Sequence, residues 1–262
     1  MSEAAWFRRA GEVLEPLPAA RSSWGEQQIH GVAVSGLLAR ALENELARIG
    51  RTDLVPVRYH VDLFRPALMT ETTASASVTR QGPRLVLLDA VVEQGGVMVA
   101  RASAIFLRPS SVPAGEVWSA GDRPVPPDLA PADGEAAGPL HASDKPWSSV
   151  MTEHQNSGRH QFWSTPMPVV LGEEITPFQA VASIADTASM VANWGTDGVQ
   201  YINADISLAL SRRPSSVSVG LRALDHIAAD GLVVGAAEVF DHLGMLGIAT
   251  VTGLANKHRA DA

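Results

Sequence analysis

The chain of 262 residues is predicted to be an α+β protein made of two copies of one unit. Each unit is a helix followed by an antiparallel run of strands. Three observations lead there. A proline-rich stretch divides the chain near its middle. The segments on either side carry the same order of elements. A constant offset of 148 residues carries Arg65-Pro66 onto Arg213-Pro214, Gly96 onto Gly244, Ser35 onto Ser183 and Val86 onto Val234.

In the first segment, Gln28-Ile29-His30-Gly31 leads into a helix over Val32–Ile49. Its apolar positions Val34, Leu38, Leu42, Leu46 and Ile49 fall on one stripe, while Arg40, Glu43 and Arg48 lie off it as a solvated face. Val55–Phe64 is alternating and β-branched and reads as a strand. Thr70–Val78, Arg84–Val92 and Val97–Leu107 follow as three more, with turns at Gln81-Gly82-Pro83 and Gln94-Gly95-Gly96. In the second segment, Pro177–Trp194 reads as the helix. Tyr201–Leu210, Ser216–Asp225, Leu232–Phe240 and Leu246–Leu254 are its strands. Between the segments, 109–147 holds eight of the 17 prolines and cannot sustain a helix or a ladder. The expected boundaries are 1–108 for the first unit, 109–154 for the linker and 155–262 for the second unit.

Composition removes whole classes of function. Hydrophobic residues make up 46%, enough for a packed core and too many for a disordered chain. Asp and Glu outnumber Lys and Arg by 28 to 20, which disfavours a nucleic-acid partner. With no cysteine, disulfide frameworks, zinc–thiolate sites and Cys nucleophiles are excluded. No apolar run is long enough to span a membrane, and the N-terminus has no signal-type apolar core, so a cytoplasmic location is expected. A Gly-x-Ser-x-Gly elbow, a phosphate-binding glycine loop, a dinucleotide fingerprint and a metal-type histidine cluster are all missing from the sequence.

Three stretches carry a family resemblance. They are Trp24-Gly25 with Gln28-Ile29-His30-Gly31 and Leu37–Leu42, then Val61-Asp62-Leu63-Phe64-Arg65-Pro66, and then Ile184-Ala185-Asp186-Thr187-Ala188-Ser189 with Ile202–Ser207. In order and at this spacing the chain resembles the hotdog-fold thioesterases, in which a curved antiparallel sheet wraps a long helix. Two such units on one chain resemble the double-hotdog, acyl-CoA thioesterase II type. The helix of the second unit is also similar to that of the phenylacetate-pathway hotdog thioesterases, whose His-Gly element faces an acid from the partner subunit.

The resemblance implies hydrolysis of acyl-CoA to free acid and CoA, with acyl-CoA as partner, no cofactor and no metal. Hotdog proteins commonly associate further, so a homodimer of double units is expected, while the acidic charge balance and the lack of a long apolar run leave no nucleic-acid or membrane partner expected. The paired elements are divided between the repeats. His30-Gly31 stands in the first, where the position matching the acid is Leu38. Asp186 stands in the second, where Phe178-Gln179 replaces His-Gly. One composite site is therefore expected to be complete and its pseudo-symmetric counterpart dead.

At the complete site, the N–H groups of a helix first turn suit a developing oxyanion, and Gly31 lets a thioester approach closely. Asp186 is the expected base or nucleophile, already ionised at neutral pH, with His30 positioning the acyl carbonyl or water. Asn193, seven residues beyond Asp186, is expected on the same cleft. Arg65, Arg212 and Arg213, at strand ends, are expected to dock the polyanionic CoA. Thioesterase II enzymes pair the Asp with a Thr and a Gln on second-unit strands. Here those positions fall near Asn203 and Thr252. Asp205 is expected to serve a turn or cap. The alternative to catalysis is a non-catalytic acyl-thioester or lipid-binding module, and a third reading is a structural interaction protein.

Overall fold

The computed structural model describes residues 4–128 and 138–256. A hairpin of β1 (Phe7–Ala10) and β2 (Val13–Pro16) precedes β3 (Arg21–Ser22) and β4 (Gly25–Ile29), which lead into α1 (Gly31–Arg48). Four strands follow: β5 (Val55–Asp62), β6 (Thr73–Gln81), β7 (Leu85–Gln94) and β8 (Val97–Leu107). The second half opens with β9 (Leu140–Ala142) and β10 (Gln161–Ser164), then α2 (Pro177–Ala185) and α3 (Ala188–Asn193). A hairpin of β11 (Trp194–Gly195) and β12 (Gly198–Val199) leads to β13 (Tyr201–Asn203) and β14 (Asp205–Leu210). β15 (Val219–Ala229), β16 (Leu232–Asp241) and β17 (Gly244–Ala255) follow.

One continuous antiparallel sheet joins both halves in the order β6-β7-β8-β5-β14-β17-β16-β15-β10-β9, with β13 also pairing β17. Its seam is β5 against β14, where Tyr59 faces Leu208 and His60 faces Ser207. The alternation of β7 puts Val86, Leu88, Ala90 and Val92 inside, against the apolar stripe of α1. α1 and α2 meet close to the residues that the offset superposes. Ser35 Oγ donates to the Ala182 carbonyl at 2.7 Å, and a Cβ on Gly36 would stand 2.5 Å from Ser183 Oγ.

The second helix departs from expectation. It is not continuous from 177 to 194 but breaks at Asp186-Thr187. Ser183 Oγ turns back onto the Gln179 carbonyl at 2.7 Å, and the N–H groups of Asp186 and Thr187 reach only three residues back, to Ser183 and Ile184. These contacts tighten the last turn and end the α-helical ladder. The strand expected over Tyr201–Leu210 is likewise interrupted at Ala204. The stretch expected to be linker carries more structure than its prolines suggest. Pro124 and Pro127 are buried, Asp122 pairs with Arg159 and Arg222, and β9 lies within it. Among the described residues no helix is long and apolar enough to cross a membrane.

Candidate active site

The N-terminus of α1 is held by His30. Its Nδ1 accepts from the Ala33 N–H at 2.9 Å, its Nε2–H donates to the Ala19 carbonyl at 3.1 Å, and its ring sits edge-on to Trp6. An acceptor Nδ1 requires the neutral ring, and burial lowers the ring's pKa despite the nearby Ala19 carbonyl. The imidazole is thus a helix cap with both nitrogens engaged.

Gly31, the next residue, begins the helix. A Cβ here would stand 2.6 Å from both Cγ and Oδ2 of Asp186, so the acid occupies the space that a side chain would need. Gly31 is required for room rather than for an unusual φ. Asp186 caps the C-terminus of α2 at the break, and its carboxylate faces the α1 terminus. There it accepts from the Val32 backbone N–H, and Oδ1 accepts from Asn203 Nδ2 at 2.9 Å. Burial pushes the Asp186 pKa up to about 6, against the pull of these two donors. The expectation of an unperturbed carboxylate is corrected accordingly.

A cavity of about 540 Å³ opens beside this pair. Gly31, Asp186 and Asn203 lie together on its wall beside His30, and Trp24, Leu63, Met190 and Ile202 form much of its apolar lining. Arg65 stands on its rim and, among the described residues, has no acidic partner. Met190 lies in α3, just beyond the break. Trp24 lies in the loop before β4, and only the fold brings it here.

Other expected residues lie elsewhere. The helix break sends Asn193 into a separate cavity, where its Oδ1 accepts from His226 Nδ1 at 2.8 Å. Arg212 is locked bidentately onto Asp241 at 2.6 and 2.8 Å, and Arg213 donates to the Leu54 carbonyl at 2.9 Å. Neither lines the cavity. Thr252 donates through both its N–H and its hydroxyl to Asp205 and does not line the cavity either. Asp205 thus bridges β14 and β17 through Thr252 rather than serving a turn.

At the pseudo-symmetric position Leu38 is fully buried. Gln179 points its amide at Glu43 Oε2, 2.8 Å away, and Thr176 Oγ1 donates to the same oxygen at 2.6 Å. Glu43, expected on a solvated face, is partly buried and its pKa is raised by that burial. Where the complete site has a cavity, Glu43 is held by two donors from the start of α2.

Two family models match the chain. The acyl-CoA thioesterase N-terminal domain matches residues 20–107, and the acyl-CoA thioesterase C-terminal domain matches residues 117–254. The chain belongs to the acyl-CoA thioesterase family. No curated protein matches it in sequence. Its fold is similar to that of the tesB protein of Mycobacterium avium subsp. paratuberculosis, with a TM-score of 0.65 at 15% identity over 95% of each chain. It is similar to acyl-CoA thioesterase II TesB2 of Mycobacterium marinum, with a TM-score of 0.58 at 14% identity over 95% of each chain. A hot dog fold protein of Alicyclobacillus acidocaldarius matches with a TM-score of 0.58 at 14% identity over 96% of each chain. These likenesses show the fold, an α+β hotdog.

Proposed function

We propose that this thioesterase hydrolyses acyl-CoA at one composite site, built from the α1 terminus of the first half and Asp186 of the second. One observation carries the reading: a partly buried carboxylate, its pKa raised, sits against a helix N-terminus on the wall of a largely apolar cavity.

Thioester hydrolysis needs a polarised carbonyl and an activated water. The Gly31 N–H makes no bond to protein among the described residues and belongs to the positive end of α1. It is the donor for the oxyanion, and losing one such donor typically costs about 10²–10³ in rate. Asp186 takes the proton from water. A pKa of about 6 makes it a stronger base than an ordinary aspartate while leaving most of it ionised at pH 7. Asn203 and the Val32 N–H orient the carboxylate. His30 acts through the helix it caps. The acyl group lies along Trp24, Met190 and Ile202, and Arg65 meets a phosphate of CoA at the rim.

Thr252 favours the second reading, a non-catalytic acyl-thioester binder, because it is absent from the cavity wall and leaves the acid with one side-chain donor. A thiol-release assay across acyl-CoA chain lengths separates the two. Hydrolysis that is lost in Asp186→Asn supports the enzyme. Tight acyl-CoA binding without thiol release overturns it in favour of the binder.

A further inference from the structure

The outer face of the sheet, at the seam between the halves, carries a second constellation that the cavity chemistry does not use. Across four strands Ser103, His60, Ser207 and Thr250 stand opposite one another in a row. The next row on the same face is Ile105, Arg58, Ala209 and Ile248. Ser207 Oγ lies 2.7 Å from His60 Nδ1, and His60 Nε2 lies 3.4 Å from Asp62 Oδ1. Arg101 holds the other oxygen of Asp62 at 2.6 Å. A proton on Nε2 faces Asp62 and leaves the Nδ1 lone pair to accept from the serine hydroxyl. Hydroxyl, imidazole and carboxylate are then in the order required of nucleophile, base and orienting acid.

A shallow depression of about 380 Å³ adjoins the hydroxyl, lined by Arg58, Ser103, Ala209 and Ile248 among others. β14 pairs on both sides, so its backbone N–H groups are committed to the ladder. Arg58 is the charged donor that lines the depression. It bonds Ser103 Oγ at 2.9 Å and, among the described residues, has no acidic partner.

We propose that this face is an independent acyl-transfer site for short-chain oxyesters, with Ser207 as nucleophile, His60 as base and Asp62 as orienting acid. Ser207 Oγ forms a bond to the ester carbon while its proton passes to His60 Nδ1, and the oxyanion faces the Arg58 guanidinium. Collapse breaks the bond to the alcohol oxygen, which leaves with the proton from His60. Water then attacks the acyl-serine, again with His60 as base, and releases the acid with Ser207 restored. The shallow, open depression, with Ala209 and Ile248 as its apolar side chains, suits acetyl or propionyl groups rather than long tails.

The test uses the full chain carrying Asp186→Asn, so that the cavity acid contributes nothing. Exposure to a small fluorophosphonate followed by peptide mass spectrometry is expected to show one adduct, on Ser207, which His60→Phe abolishes. On p-nitrophenyl acetate, Ser207→Ala is expected to lower kcat/KM by about 10²-fold or more, because it removes the nucleophile and with it the acyl-enzyme route. Circular dichroism verifies that each variant is folded. Absence of the Ser207 adduct, or an esterase rate unchanged by Ser207→Ala, overturns the proposal. The labelling arm needs no substitution at the serine, so it decides even where that variant is poorly folded.

Discussion

The carboxylate of Asp186 occupies the space in which a side chain on Gly31 would begin. Two residues 155 positions apart in sequence thus share one volume, each fitting only because of the other. Gly31→Ala is expected to push the acid off the Val32 N–H and lower kcat by about 10²-fold or more, with thiol release as the measurement. Asp186→Asn, which keeps the volume, is expected to lose a similar factor while acyl-CoA affinity by calorimetry stays within a few-fold.

The raised Asp186 pKa has a kinetic signature. Because the ionised form is the base, kcat/KM is expected to rise with pH through a single ionisation near 6 and then level off. A profile with its midpoint near 4 would show that burial does not tune the acid.

The arginines separate by role. Arg65→Ala is expected to raise KM for acyl-CoA, with an effect that fades at high salt. Arg212→Ala is expected to leave KM unchanged and to destabilise by about 3–5 kcal/mol, because it strands Asp241, which is fully buried. The Asp241 pKa sits at about 2: burial pushes it up, but Arg212 and the donors of Ser215 and Leu243 outweigh that. Its stabilising contribution is present above an unfolded value near 3.8 and is lost as pH falls through 2. Urea titration of the two variants at pH 7 distinguishes the cases.

A histidine cluster sets a second pH limit. His141 is almost fully buried, 6.3 Å from His154 in ring centroids and edge-on to Trp194, and burial lowers its pKa to about 4. The unfolded chain takes up this proton near 6.5 and the folded chain only near 4. Stability is therefore expected to fall between those two values as pH drops, by up to about 3 kcal/mol from this group. His141→Phe is expected to flatten that part of the curve in thermal melts.

Asymmetry between the repeats is testable directly. Leu38→Ala is expected to cost about 2–5 kcal/mol of stability through an internal cavity. Gln179→Ala removes one donor from Glu43 and is expected to leave turnover per folded molecule largely intact. Loss of activity in Gln179→Ala with retention in Asp186→Asn would reverse the assignment of the working site.

What was legible in the sequence follows from local physics. The stripe from Val34 to Leu46 and the alternation of Val97–Leu107 specified their elements because period and side-chain type act over a few residues. The internal offset announced two related halves and placed Gly31 and Asp186 in different ones. It could not show that α2 would end early beyond Ser183, since hydrogen bonding of a hydroxyl back to its own helix competes with the ladder only by small margins. That break decided the rest. It turned Asp186 toward α1, carried Asn193 into another cavity, and left Asn203 rather than Thr252 on the acid. The arginines at strand ends looked alike in sequence. Only the tertiary structure separated Arg65, open at the rim, from Arg212, whose charge is held by Asp241, because the partner of a charge is fixed by packing between distant segments.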